Sequence, residues 1–285
     1  MKKATFLIAT LLTALFSTAQ QPAENNSMLW KIEGNGLTQP SYLFGTIHYM
    51  CADDFQIKEK VSNAFNSTSN LVMEINMADP NEINAMQKMM QGETTLSSQM
   101  TEKERIEANS ILTSQLGLTL EQVDHVSPIG LLSTSMAAVI PCKPTELKFY
   151  EFEFLAKAKA QKKSVEGLET LESQMKAMNE SYSLSEVLKQ IQLKKEYATV
   201  FADMTKYHKE ENLSGLYNAV RDRRFMDERT ENLVLTQRNK AWAAKIPAII
   251  KDKSTFFAVG AGHLYGNTGV IELLKQQGYK LTPVK

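Results

Sequence analysis

The pattern Gly-x-x-His occurs near both ends of the chain, as Gly45-Thr46-Ile47-His48 and as Gly260-Ala261-Gly262-His263. Each copy closes an apolar run of β character, Ser41 to Ile47 in one case and Thr255 to Val259 in the other. Apolar residues at helical spacing follow: Ile57, Val61, Ala64 and Phe65, or Val270, Ile271, Leu273 and Leu274. A second β-type run completes each unit, Leu71 to Ile75 or, past the helix-stopping Gly278, Tyr279 to Val284. Two strand–Gly-x-x-His–helix–strand halves predict one mixed α/β sheet with both motifs at the carboxyl ends of strands. Open α/β sheets bind ligands at those ends. The stretch between the halves becomes a long, mainly helical insertion.

Punctuation along the chain supports this division. Met28 to Glu33, the turn Gly34-Asn35-Gly36 and Ser41 to Ile47 predict a hairpin. Within the insertion, Thr101 with Glu104 and Ser183 with Glu186 match the capping box, where each side chain satisfies the other residue's free backbone donor. Ser127-Pro128 reads as an N-cap followed by proline at the first helical position. The spacing predicts a short strand at Val165 to Leu168, one long helix from Leu184 to about Tyr207, and another over roughly Asp227 to Ala244. Met86, Met89, Met90, Met175 and Met178 cluster on these helices, where core filling is expected ahead of a partner-facing groove.

The N-terminus sets the expected compartment. Lys2 and Lys3 precede the apolar run Phe6 to Phe16, and Ser17-Thr18-Ala19 offers small residues for a signal peptidase. That run is short for a bilayer span, so residues 1–19 are expected to be a cleaved signal peptide and 20–285 one exported domain, periplasmic or secreted, with no stable membrane span after cleavage. Lysine plus arginine equals aspartate plus glutamate at 32 each, so nothing electrostatic favours nucleic acid or an anionic membrane. Two cysteines entering an oxidising compartment pair more often than they stay free. A Cys51–Cys142 disulfide is therefore expected, against two buried thiols.

Few residues offer chemistry. Of the four histidines, His125 and His208 lack a partner pattern, and surface or satisfied-core places suit them. His48 and His263 each end a strand after a glycine-containing turn, where imidazole can ligate a metal or move a proton. Glu74 interrupts the apolar run Leu71 to Ile75. It either faces solvent or lies in the core, where a carboxylate needs a cation or a partner. With the two histidines it would complete a His₂-carboxylate set of the kind that leaves positions open on a catalytic metal. Arg238, beside Asn239, either clamps a carboxylate of a substrate or of Glu74, or lies on a solvated helix face. Glu169 stands at a strand-to-helix corner, where capping and chemistry both fit. There is no His-Glu-x-x-His run and no Gly-x-Ser-x-Gly elbow.

In order, these segments resemble the TraB/GumN family, which includes the Tiki metalloproteases. The resemblance spans Leu29-Trp30-Lys31-Ile32, Ser41 to His48, Leu71 to Glu74, Gly167-Leu168-Glu169-Thr170, Arg238-Asn239, Ala258 to His263 and Gly278-Tyr279. It implies an exported bacterial member with a divalent metal of the Mn, Co or Zn type. By the resemblance, His48, His263 and Glu74 form the metal and catalytic set, with Arg238 and Glu169 as supporting site residues. Cys51 and Cys142 resemble the paired cysteines of exported members. Two functions follow as expectations: a metal-dependent peptidase or related hydrolase of the cell envelope acting on a peptide or protein, or a non-catalytic peptide- or metal-binding protein using the same crevice.

Overall fold

The computed structural model describes residues 26–285; the signal peptide expected over residues 1–19 lies outside the described residues. Leu29–Glu33 (β1) and Ser41–Thr46 (β2) pair antiparallel across the Gly34-Asn35-Gly36 turn. The short strand Tyr49–Cys51 (β3), the helix Glu59–Asn66 (α1) and the buried strand Asn70–Ile75 (β4) follow. The insertion then begins with Pro80–Met89 (α2), Glu102–Leu116 (α3), Leu120–Val123 (α4) and Pro128–Ala137 (α5). It continues through Leu147–Phe149 (β5), Tyr150–Ala160 (α6), Ser164–Glu169 (β6), Leu171–Ser181 (α7), Leu184–Gln192 (α8) and Lys194–Lys209 (α9). Leu213–Val220 (α10), Glu228–Glu231 (α11) and Gln237–Asp252 (α12) complete it, before Thr255–Gly260 (β7), Val270–Gln276 (α13) and Lys280–Pro283 (β8).

Six strands form one mixed sheet in the order β6-β4-β7-β2-β1-β8. β2, β7, β4 and β6 run parallel, while β1 is antiparallel to β2 and β8. The two halves interleave, with β7 lying between β2 and β4 of the first half. From β2 the crossover through α1 leads past β7 to β4; from β7 the crossover through α13 leads the other way, past β2 and β1, to β8. Right-handed crossovers in opposite directions put their helices on opposite faces of the sheet. The reversal falls between β2 and β7, and open α/β sheets bind ligands at the carboxyl ends of such strands. Register sets Gly45 opposite Val259 and Thr46 opposite Gly260, which brings the two motifs level.

The core forms around these inner strands. Leu71 and Val72 in β4, like Phe256 and Phe257 in β7, are wholly buried at successive positions, as in strands covered on both faces. Phe65 of α1 meets the Phe256 ring edge-on and Phe154 of α6 packs tilted against it, at 5.4 and 5.0 Å between centroids. A second apolar cluster, with Leu96, Leu112, Leu131, Val187 and Ile191, joins the helices of the insertion. Both expected capping boxes form, and Ser127 caps α5. Cys51 and Cys142 are bonded with Cα atoms 5.9 Å apart, tying β3 to the loop before β5. β3 and β5 pair as a separate ribbon.

Tertiary packing overrides the sequence pattern in three places. The helix expected from Leu184 to Tyr207 breaks at Leu193 (φ −89°, ψ 21°). The reason is that Val187 and Ile191 of α8 pack in the second cluster, whereas Met204 and Tyr207 of α9 pack on the main core. The helix expected over Asp227 to Ala244 is α11, then a π-helical stretch Asn232–Thr236, then α12 running on to Asp252. The methionines of α2 and α7 do not fill the core: α2 has no fully buried residue, and these five side chains belong to neither apolar cluster.

Candidate functional site

Glycine makes the close approach of β2 and β7 possible. A Cβ on Gly45 would stand 2.9 Å from that of Ala261. A Cβ on Gly260 would stand 3.1 Å from Glu74 Oε1, 3.5 Å from His263 Cδ2 and 3.9 Å from His48 Nε2. The three groups therefore converge on the space over Gly260, and the missing side chain lets them do so.

β4 delivers Glu74 into the interior, where its side chain is 9% exposed. Oε1 accepts the Gly260 N–H at 2.8 Å, and Oε2 accepts from Arg238 Nη2 at 2.7 Å and Gln174 Nε2 at 3.0 Å. Burial opposes the charge, but Arg238, both histidines and the Gly260 N–H outweigh it and hold the carboxyl well below the usual range. Glu169 ends β6. Thr170 caps α7, which leaves the Glu169 carboxylate free to accept from Arg238 Nε and Nη2 at 2.9 and 2.5 Å. Burial, with the charge of Glu74 adding to it, raises the Glu169 pKa against the pull of Arg238.

The π-helical stretch just before α12 aims Arg238 into this cluster, and such bulges recur at functional sites. Its Nη1 donates to Val234 O at 2.9 Å and lies 3.2 Å from His263 Nε2. His263 is buried, with Nδ1 2.6 Å from Asn239 Oδ1 and its ring 4.3 Å from that of Trp242. Burial and the Arg238 charge pull its pKa down to about 3.

His48 stands in contrast, with 61% of its side chain exposed. Its Nδ1 is 3.1 Å from Glu151 Oε1, which also accepts from Thr46 Oγ1 at 3.2 Å. The surrounding protein disfavours its charge, but the hydrogen bond and charge of Glu151, aided by Glu74, push the pKa up to about 9. Solvent over most of the ring screens that rise.

The five side chains singled out by sequence thus gather around Gly260 and Arg238. Glu151, Asn239 and Gln174 join them without a sequence signal of their own; only the position of Asn239 beside Arg238 hinted at one. Of the other histidines, His125 is exposed. His208 is buried under β2, with Nε2 3.0 Å from Gly45 O, and burial lowers its pKa to about 4. Two imidazoles and a carboxylate are donors that suit a divalent cation. Among the described residues, however, no group of three or more His, Cys, Asp and Glu side chains stands close enough to hold one. Arg238, bonded to Glu74 and to His263, takes up donors of that set.

The chain is similar to several metalloproteases. It is 24% identical to a metalloprotease TIKI homolog of Nematostella vectensis, over 93% of this chain and 68% of that protein. It is 24% identical to human metalloprotease TIKI1, over 94% of this chain and 64% of that one. A shorter match, 45% identical over 17% of the chain, is to metalloprotease TIKI2 of Xenopus tropicalis and covers 10% of that protein. The chain spans about two thirds of the length of the long-matching relatives. No solved structure matches. The profile of the TraB/PrgY/gumN family covers residues 28–283, and the chain belongs to that family.

Proposed function

We propose that this chain is a divalent-metal-dependent peptidase or related hydrolase of the cell envelope, acting on a peptide or protein in the crevice over Gly260. The convergence of Glu74 Oε1, His263 and His48 Nε2 on the space that a Gly260 side chain would fill carries this proposal. Membership of a family whose long-matching relatives are named metalloproteases supports it. His48, His263 and Glu74 would hold the ion, of the Mn, Co or Zn type. When bound, it supplies a Lewis acid for the scissile carbonyl and a water of lowered pKa. Glu74 stays ionised and can serve as ligand or proton acceptor. Arg238 offers N–H donors to a substrate carboxylate or a developing oxyanion, and Glu169 holds that guanidinium. Export agrees with the Cys51–Cys142 disulfide, since such bonds persist in oxidising compartments. No helix of the described residues is long and apolar enough to cross a membrane.

The second function, binding of a peptide or metal without turnover, is favoured by one observation. Arg238 already engages Glu74 and His263, donors that a catalytic ion would need. Metal content and affinity, measured by elemental analysis and calorimetry on the parent and a His48→Ala/His263→Ala double variant, test the site. Stoichiometric metal in the parent, lost in the double variant, is expected. Metal bound equally by both would sink the site. Turnover of a peptide library by the metal-loaded parent then separates peptidase from binding protein.

A further inference from the structure

We infer that Arg238 is a latch on the metal site: its guanidinium occupies the His263 lone pair and a Glu74 oxygen, so guanidinium and divalent cation compete for the same donors. The inference rests on the metal-site proposal above.

The protonation of His263 is fixed from behind. Asn239 Nδ2 donates to Thr268 O at 2.9 Å, and a carbonyl only accepts. The amide is thereby turned with Oδ1 toward His263 Nδ1, 2.6 Å away, so Nδ1 donates and carries the ring proton. Nε2 is left with one lone pair, and Arg238 Nη1 lies 3.2 Å from it. One lone pair serves one partner. A metal–imidazole bond is about 2.1 Å long, so an ion placed on Nε2 where Arg238 now donates would stand about 1 Å from Nη1. The two cannot coexist there.

Glu74 repeats the conflict. At Oε2 the competitor is Arg238 Nη2, 2.7 Å away, whereas Oε1 accepts the Gly260 N–H and keeps a second lone pair on the His263 side, 4.0 Å from Nε2. Yet Arg238 has a second hold, through Nε and Nη2 on Glu169 and through Nη1 on Val234 O. It can release His263 and Glu74 without becoming an unpaired buried charge, which is the costly outcome for a buried ion pair. That second hold makes Arg238 displaceable.

The test is calorimetric titration of Zn²⁺ into the parent, Arg238→Lys and Arg238→Gln, each checked for native circular dichroism. Lysine keeps the positive charge beside Glu74, but a single ammonium lacks the planar fork that reaches Glu74 and His263 together. Zn²⁺ is expected to bind Arg238→Lys at least tenfold more tightly than the parent, and Arg238→Gln more tightly still. Adding His263→Ala to Arg238→Lys should abolish the gain. In the parent, which needs no variant, the ¹⁵N side-chain signals of Arg238 should shift and lose exchange protection as Zn²⁺ saturates. Binding by the parent with no gain in either variant overturns the latch and leaves the metal site standing. A gain in Arg238→Gln alone reduces the effect to charge repulsion and also overturns it. No binding by any of the three overturns latch and metal site together.

Discussion

The two Gly-x-x-His copies share a pattern and end in opposite environments. His263 is buried against Trp242 and held by the neutral amide of Asn239, and its imidazole resists protonation down to about pH 3. His48 is largely exposed and held by the carboxylate of Glu151, which favours its protonated form. The difference follows from what comes after each motif. After His263 the chain turns under α12, which brings Asn239 and Trp242 over the ring. After His48 it leaves the sheet for the β3–β5 ribbon, and Glu151, at the start of α6 just past β5, is the side chain that bonds to its ring. The same four-residue pattern thus builds one pole set by packing and one set by a single side chain at the surface.

The largest effect should come from the buried pole. Glu74→Ala leaves the buried Gly260 N–H without its acceptor and takes one partner each from Gln174 and Arg238, and should lower unfolding stability by about 3–5 kcal/mol, read by urea denaturation at pH 7. A loss under about 1 kcal/mol would show that the buried pole is no more demanding than the exposed one. The next effect concerns pH. The unfolded chain protonates a histidine near pH 6.5, but buried His208 stays neutral to about pH 4. Stability is therefore complete above about pH 6.5 and falls as pH drops toward about 4, by up to about 3 kcal/mol from this group. His208→Gln can still donate to Gly45 O but cannot titrate, so its stability curve should be flatter over that window. Parallel curves for parent and variant would remove His208 as the cause.

Asn239→Ala should cost about 1–3 kcal/mol, because the buried Nδ1 of His263 and the Thr268 carbonyl both lose a partner. Glu151→Ala, its counterpart at the open pole, should cost below about 1 kcal/mol. Equal losses from the two, measured by the same denaturant titration, would break the distinction between the poles.

Much of the fold was readable because β2, β4 and β7 carry dense apolar runs, with a Gly-x-x-His pattern at the carboxyl end of β2 and of β7. Strand order was not readable. That β7 lies between β2 and β4 depends on which way each crossover runs, a choice that no local spacing records. The break at Leu193 escaped notice because α8 and α9 each satisfy a helical pattern and differ only in which cluster they face. At the site, Glu74, Glu169 and Arg238 stood out as charges in apolar or cornering positions. Glu151 did not, since it belongs to the alternation Glu151-Phe152-Glu153-Phe154, where a half-buried carboxylate looks like any surface one. Asn239 was masked by its neighbour: adjacent helical residues point about 100° apart, and only the folded sheet puts partners in both directions.

The π-helical stretch at Asn232–Thr236 has a consequence for how this region can vary. A regular helix transmits its phase rigidly, so each residue fixes the bearing of every later one. The bulge accommodates one residue more than that regularity allows. The Asp227-capped start and the buried face of Trp242, Ile246 and Ile250 can then keep separate bearings within one rod. The bearing of Arg238 is set by chain length in this stretch as much as by side-chain identity. Losing a single residue between Asn232 and Thr236 would close the bulge into a regular helix and remove the widened turn from which Arg238 is aimed, a disturbance that no point substitution there would reproduce.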